Sequence, residues 1–257
     1  MGRSRNTMKK MLLMLCFCLS VAHAETLTVF AASSLTEAFQ EIGTAFGQKT
    51  GHQVRFQFAG SQILKTQLEQ GAQADVFASA NELQFDPLVK KGLLTDKTTF
   101  TRNQLAVVVP IQNPAKVRSL SDLAKPGLKL ILASPNVPVG QYTRAVFDAF
   151  SKSSKGFTAR ALKNLISEEN NVRQVVLKIA LGEADAGVVY TTDIVGDNKN
   201  KVKTLAIPGK YNVITHYPMG VLKSSRQPEV AQAFVAFVQS RAGQSILKKW
   251  GFLPVRP

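Results

Sequence analysis

Beyond its first 24 residues the chain has no cysteine, because Cys16 and Cys18 both precede Glu25. That excludes a disulfide framework, a thiolate metal site and a cysteine nucleophile, and leaves stability to an ordinary apolar core. Histidine is nearly as scarce. After His23 only His52 and His216 occur, too few and too far apart to suggest a histidine metal site, and no HExxH, CxxC, P-loop, GxGxxG or GxSxG pattern is present. The chain has no low-complexity tract, no internal repeat and no Pro/Ser-rich linker, and no apolar run reaches the roughly 20 residues that a membrane-spanning helix needs.

What is present begins with a leader. Arg3, Arg5, Lys9 and Lys10 precede an apolar run from Met11 to Ala22, and Ala22-His23-Ala24 stands before Glu25. This is the layout of a secretory signal, residues 1–24, cleaved after Ala24 to release an exported protein. Of the 32 Lys and Arg, four lie in the leader; the rest face 17 Asp and Glu, so a formal charge of +11 remains after processing. The basic residues are scattered, with no run of five and no aromatic-interleaved cluster, which argues against nucleic acid. A diffuse field that attracts small anions and plain solubility explain the charge equally well.

Runs rich in Val, Ile, Leu and Phe alternate with segments of helical period, which predicts an α/β protein. Strands are expected at Thr26–Ala31, Gln53–Phe58, Ala74–Ala78, Leu105–Val109, Lys129–Ala133, Ala186–Tyr190 and Val202–Ile207. Helices are expected near 34–50, 61–71, 81–91, 140–150, 172–182 and 226–240. The length after processing suits two lobes better than one. The division read here is 25–103 with 216–257 for the first lobe and 104–215 for the second, the chain crossing in the extended stretches Phe100–Val109 and Tyr211–Leu222.

Chemistry concentrates at strand-to-helix turns. Phe30-Ala31-Ala32-Ser33-Ser34-Leu35-Thr36-Glu37 ends one strand and opens a helix, with Ser34 and Glu37 spaced as a capping box. Phe58-Ala59-Gly60-Ser61-Gln62 repeats the arrangement, Pro135-Asn136-Val137-Pro138-Val139-Gly140 leads into a helix near Gln141, and Asn170-Asn171-Val172-Arg173 opens another. Open α/β sheets place their ligand crevice at such ends, and each helix start offers free backbone N–H groups and a positive dipole end. One such serine taken alone is most simply a cap, and Gly60 and Gly140 serve tight turns. Converging, the four starts form an anion site.

No carboxylate sits at the four proposed contact points, so the site suits a fully ionised anion; phosphate near neutral pH is partly protonated and is best matched by a site that includes an acceptor. Glu168 and Glu169 keep phosphate open. Lys65 and Arg173 are candidate anion ligands, though surface charges by preference, and Tyr190 places one O–H at a strand end. A hydrolase using Ser34 or Ser61 requires His52 or His216 beside that serine.

These runs, together with Gly71-Ala72-Gln73-Ala74-Asp75-Val76-Phe77 and Gly187-Val188-Val189-Tyr190, resemble the periplasmic molybdate-binding proteins, in order from about residue 26 to Phe252. The resemblance implies a type II periplasmic binding fold, two α/β lobes hinged by two crossing segments. It also implies a monomer that captures molybdate or tungstate for the permease of an ABC transporter. The ligand set it implies is Ser34 and Ser61 from the first lobe, with the N–H groups of Val139 and Val172 and the hydroxyl of Tyr190 from the second. No cofactor and no directly bound metal is implied, and no enzymatic activity. Gly60 and Val139 depart from the family pattern, where serine and alanine are common, and Ser33 is a further candidate donor. Sulfate, phosphate and ferric iron are the rival ligands on such a fold, and iron would want more oxygen and nitrogen ligands than Tyr190 alone.

The two explanations of the +11 charge separate by kinetics. If the field captures anions, the association rate of a small anionic ligand falls as salt rises; a flat dependence assigns the charge to solubility.

Overall fold

The structure, a computed structural model, describes residues 26–255; the leader and its cleavage site lie outside the described residues. Along the chain run β1 (Thr26–Ala32), α1 (Thr36–Thr50), β2 (Gln53–Ala59), α2 (Ser61–Glu69), β3 (Val76–Ala78), α3 (Glu82–Lys90) and β4 (Thr98–Pro110). There follow β5 (Leu130–Ala133), α4 (Pro138–Ser151), α5 (Phe157–Lys163), β6 (Leu165–Glu169), α6 (Val172–Ala180) and β7 (Ala186–Tyr190). The chain ends with β8 (Val202–Ala206), β9 (Ile214–Val221), α7 (Pro228–Gln239) and α8 (Arg241–Lys249).

Side-chain pattern explains these elements. Every residue of β5 (Leu-Ile-Leu-Ala) and β7 (Ala-Gly-Val-Val-Tyr) is buried, as expected of strands covered on both faces. In α6 the buried positions Val172, Val175, Val176 and Ile179 recur at helical spacing and form one apolar stripe. In α1 Phe39, Ile42 and Phe46 do the same. Phe39 packs among Phe56, Phe100 and Phe234, with ring centroids 5.6 to 6.1 Å apart, so α1, β2, β4 and α7 share one aromatic core.

The strands form two sheets joined through β4. In the first the order is β2-β1-β3-β9-β4, with β1 parallel to β2 and β3 and with β9 antiparallel to both its neighbours. In the second, β4 lies between β8 and β7, and β5 and β6 extend the sheet in parallel. The change of partner falls within β4: residues up to Gln104 pair with β9, and from Leu105 onward with β7 and β8. Asn212 seals that point, donating from its amide to Leu105 O (2.9 Å) and accepting from Leu105 N (3.2 Å). Each sheet carries its own helices, giving two α/β lobes connected by β4 and by the chain entering β9.

Several elements were not foreseen. The edge strand β6 carries Ser167, Glu168 and Glu169, residue types that strands disfavour, and alternates in burial. Helix α5 and helix α8 with its internal Gly243 also escaped the periodic pattern, and the first half of β4 and all of β9 were expected only as extended crossing chain. Helix α4 begins at Pro138 rather than near Gln141, with proline at a first-turn position where its missing N–H costs nothing. Gly140, expected in a tight turn, lies inside that first helical turn. A Cβ there would stand 2.1 Å from Ser134 O and 2.4 Å from Ala133 O, so glycine is required for the helix start to press against the end of β5.

Gly140→Ala therefore forces apart two backbone segments. The expected loss is about 1–3 kcal/mol, a value typical of overpacking, read as a lowered Tm of the ligand-free protein; an unchanged Tm would contradict this packing account.

Candidate functional site

Ser33–Leu35 forms a single 3-10 turn between β1 and α1, and all three residues are buried. Neither serine of interest is a helix cap. The expected capping box does not form: α1 starts at Thr36, Ser34 Oγ lies 3.0 Å from the Tyr217 hydroxyl, and Glu37 turns to Arg173. Ser61, the first residue of α2, accepts from the backbone N–H of Ala80 through its Oγ at 3.0 Å. In α6 the cap is Asn171, whose Oδ1 accepts from Gln174 N, and in α4 the cap position is Val137, without a side-chain bond.

These starts meet. Ser34 and Ser61 from one lobe and Val139, Val172 and Tyr190 from the other line one small, tightly closed cavity, together with Ser33, Gly60 and small apolar residues. No charged side chain lines it. The N–H groups of Val139 and Val172 belong to first helical turns, which have no intrahelical acceptor, and the two helices direct their positive ends to the same space. The hydroxyl of Tyr190 is buried and has no hydrogen-bond partner among the described residues. Burial raises the pKa of this phenol far above its ordinary value, so it stays a protonated donor.

The charged candidates fall elsewhere. Lys65 pairs with Glu69 on its own helix, 3.8 Å away. Arg173 is neither an anion ligand nor a solvated surface charge. Its guanidinium ion-pairs with Glu37 of α1, its Nε donates to Ser33 O at 3.2 Å, and it stands 3.5 Å from the fully buried Asp193. Burial pushes the Asp193 carboxyl up to about 6 against the opposing pull of Arg173. Asp193 accepts from Tyr190 N at 2.8 Å and so anchors the end of β7. Glu168 pairs with Arg144, and Glu169 with Lys178 and Ser167; neither carboxylate lines the cavity.

Further bonds tie the lobes across the cleft. Asn81 Nδ2 donates to Gln141 Oε1 (2.9 Å), Gln84 Nε2 to Asn136 O (2.9 Å) and Gln62 Nε2 to Asn170 O (2.8 Å). The lobes are thus closed over the cavity. Sequence reasoning missed this rim, since amides separated by 52 to 108 positions carry no local signal, and it missed Tyr217 and Asn103 beneath Ser34 for the same reason. Neither histidine reaches the serines. His52 stacks on Phe46, and His216 is an exposed residue of β9 paired with Arg102. Among the described residues no group of three His, Cys, Asp or Glu side chains could hold a metal ion, and no helix is long and apolar enough to cross a membrane.

Comparison with known proteins agrees with this architecture. The profile of the bacterial extracellular solute-binding proteins matches residues 27–253. The molybdate-binding protein ModA of Mycobacterium tuberculosis is 43% identical over 231 residues, covering 89% of this chain and 85% of that protein. Two solved structures share the fold. The periplasmic molybdate-binding protein of Azotobacter vinelandii has a TM-score of 0.76 at 22% identity, covering 88% of this chain and 98% of that one. The sulfate-binding protein SubI of Mycobacterium tuberculosis has a TM-score of 0.82 at 21% identity, with coverages of 91% and 88%.

A side chain at position 60 would collide with the opposite lobe, since a Cβ on Gly60 would stand 2.5 Å from Asn170 O. Gly60→Ala is therefore expected to weaken binding of a cavity ligand by about tenfold or more while leaving the ligand-free Tm unchanged. Equal affinity in titration calorimetry would show that the lobes close without that contact.

Proposed function

The chain belongs to the bacterial extracellular solute-binding proteins and, among them, to the relatives of molybdate-binding ModA, and from that premise we propose that it captures molybdate for an ABC importer. The observation that carries the reading is the cavity itself, where hydroxyl and N–H donors of both lobes meet without a carboxylate or a cation. A permanently ionised tetrahedral dianion needs donors only. Tungstate, of the same charge and shape, is the second ligand. Sulfate shares that chemistry, and the preference for molybdate rests on the relative at 43% identity. Phosphate is disfavoured, because the carboxylates considered for it are engaged elsewhere.

In this reading Ser34 and Ser61 donate through their hydroxyls, Val139 and Val172 through backbone N–H groups at helix starts, and Tyr190 through its phenol. The metal atom arrives inside the ligand, so the chain ligates no metal directly. Residues 25–103 with 216–257 form one lobe and 104–215 the other, hinged where β4 changes sheets. The anion shifts the open–closed equilibrium by bonding to both lobes at once, which only the closed form permits. The closed monomer is what a membrane permease recognises. Export follows from the leader, cleaved after Ala24. The work done is binding without turnover, supported by the hydrogen bonds of both serines, which go to Tyr217 and Ala80 and to neither histidine.

The test is thermal unfolding of residues 25–257, alone and with molybdate, tungstate, sulfate, phosphate or ferric citrate. A ligand at about 1,000 times its Kd adds about 4 kcal/mol, roughly 8–16 °C for a chain of this size. Shifts confined to molybdate and tungstate are expected; shifts with sulfate, phosphate or iron alone would overturn the substrate. In the same assay Tyr190→Phe removes one donor to a charged acceptor and is expected to weaken molybdate binding by about 10- to 100-fold, and retained affinity would remove Tyr190 from the site.

A further inference from the structure

Beneath Ser34 lies a buried polar chain that none of the proposed contacts uses. Asn103 and Tyr217 are both fully buried, on adjacent strands β4 and β9. Asn103 Oδ1 accepts from the backbone N–H of Gln104 at 2.9 Å and from Thr191 Oγ1 at 3.2 Å. A backbone N–H can only donate, so this bond fixes which end of the amide is oxygen. The amide nitrogen then faces Thr192 Oγ1 at 2.9 Å and the Tyr217 hydroxyl at 3.5 Å. An amide nitrogen cannot accept. The Tyr190 hydroxyl also faces the Tyr217 hydroxyl but from beyond hydrogen-bonding distance, and the one acceptor within that distance is Ser34 Oγ at 3.0 Å, so the phenol proton goes there, the alternative being a buried unpaired O–H.

We propose that Tyr217, oriented by Asn103, is a positioning residue that sets the direction of hydrogen bonding at the oxyanion site: it donates to Ser34 and thereby obliges the Ser34 hydroxyl to present its proton to the anion. Ser61 is set in the same sense by a different device, since its Oγ accepts from Ala80 N and keeps its own proton for the cavity. With Tyr190 unpartnered, all three hydroxyls are donors. The polarity of the cavity is thus imposed from behind the residues that touch the ligand, and it selects against an oxyanion carrying a proton, which needs an acceptor.

This inference rests on the oxyanion reading above, and the experiment separates the two. Molybdate and phosphate affinities are measured by titration calorimetry on wild type, Tyr217→Phe, Asn103→Asp and the double variant, with the ligand-free Tm of each as a check on folding. Tyr217→Phe is expected to weaken molybdate about tenfold and to narrow the molybdate-to-phosphate ratio, because Ser34 is then free to turn and accept. Asn103→Asp replaces the donor with a carboxylate that draws the Tyr217 proton, reversing the chain and turning the Ser34 lone pair to the anion; a loss of about 100-fold or more is expected. Adding Tyr217→Phe to Asn103→Asp cuts the reversed chain and is expected to restore part of that loss, although Tyr217→Phe is harmful alone. A purely structural or coulombic role predicts additive losses in the double variant, and additivity, or unchanged molybdate affinity in Tyr217→Phe, overturns the proposal. If Asn103→Asp does not fold, Tyr217→Phe decides alone. A wild type that binds neither molybdate nor tungstate defeats the oxyanion reading itself, and this inference with it.

Discussion

A buried hydrogen-bond donor without an acceptor is costly, and this protein gathers several of them at one point. The Tyr190 hydroxyl has no partner, the first turns of α4 and α6 leave N–H groups without intrahelical acceptors, and the Ser34 and Ser61 oxygens are already met by Tyr217 and Ala80. Each unpaired group of this kind costs about 1–3 kcal/mol when buried. The arrangement is therefore poised for an acceptor-only guest, and a small tetrahedral dianion supplies such a guest. The glycines and alanines around the turns follow from the same need, because larger side chains would hold the anion off the backbone.

The proposed donors are divided between lobes, and in the proposed function that division turns binding into movement. A cavity built wholly on one lobe would bind without closing. Here β4 changes sheets at Gln104 and Leu105 while Asn212 clamps the same point from the returning strand, and this is the point proposed as the hinge. The rim contacts Asn81 to Gln141, Gln84 to Asn136 and Arg173 to Glu37 add polar closure bonds at the periphery. Asn81 and Gln84 are buried and Arg173 and Glu37 half-buried, and each bond replaces one to water, so the net gain per bond is modest. In the proposed function the anion, bonded to both lobes in a site that largely excludes water, contributes the larger bias.

Much of this was legible in the sequence, and the reason is local. Strand-to-helix turns carry their signal in adjacent residues, so Phe30 to Glu37, Phe58 to Gln62, Pro135 to Gly140 and Asn170 to Arg173 all pointed to helix starts, and the structure brings these to one cavity. The α/β class followed from the strand runs. What was misread depends on distant partners. Arg173 looked like a surface charge because Glu37 and Asp193 lie far away in sequence, and the Ser34–Glu37 capping box gave way to tertiary bonds from Tyr217 and Arg173. Gly140 looked like turn chemistry and is instead a close contact with β5. The edge strand β6 was hidden by polar residues that serve ion pairs with Arg144 and Lys178.

The central claim, that this cavity holds a dianion through neutral donors of both lobes, is tested most directly by a crystal structure of residues 25–257 grown with molybdate and recorded for molybdenum anomalous scattering. The account predicts one strong peak between the starts of α1, α2, α4 and α6, with oxygens about 2.7–3.1 Å from Ser34, Ser61, Val139, Val172 and Tyr190 donors and no carboxylate or lysine in contact. A peak elsewhere, a coordinating charged side chain, or a closed cavity without molybdenum at saturating molybdate would contradict it.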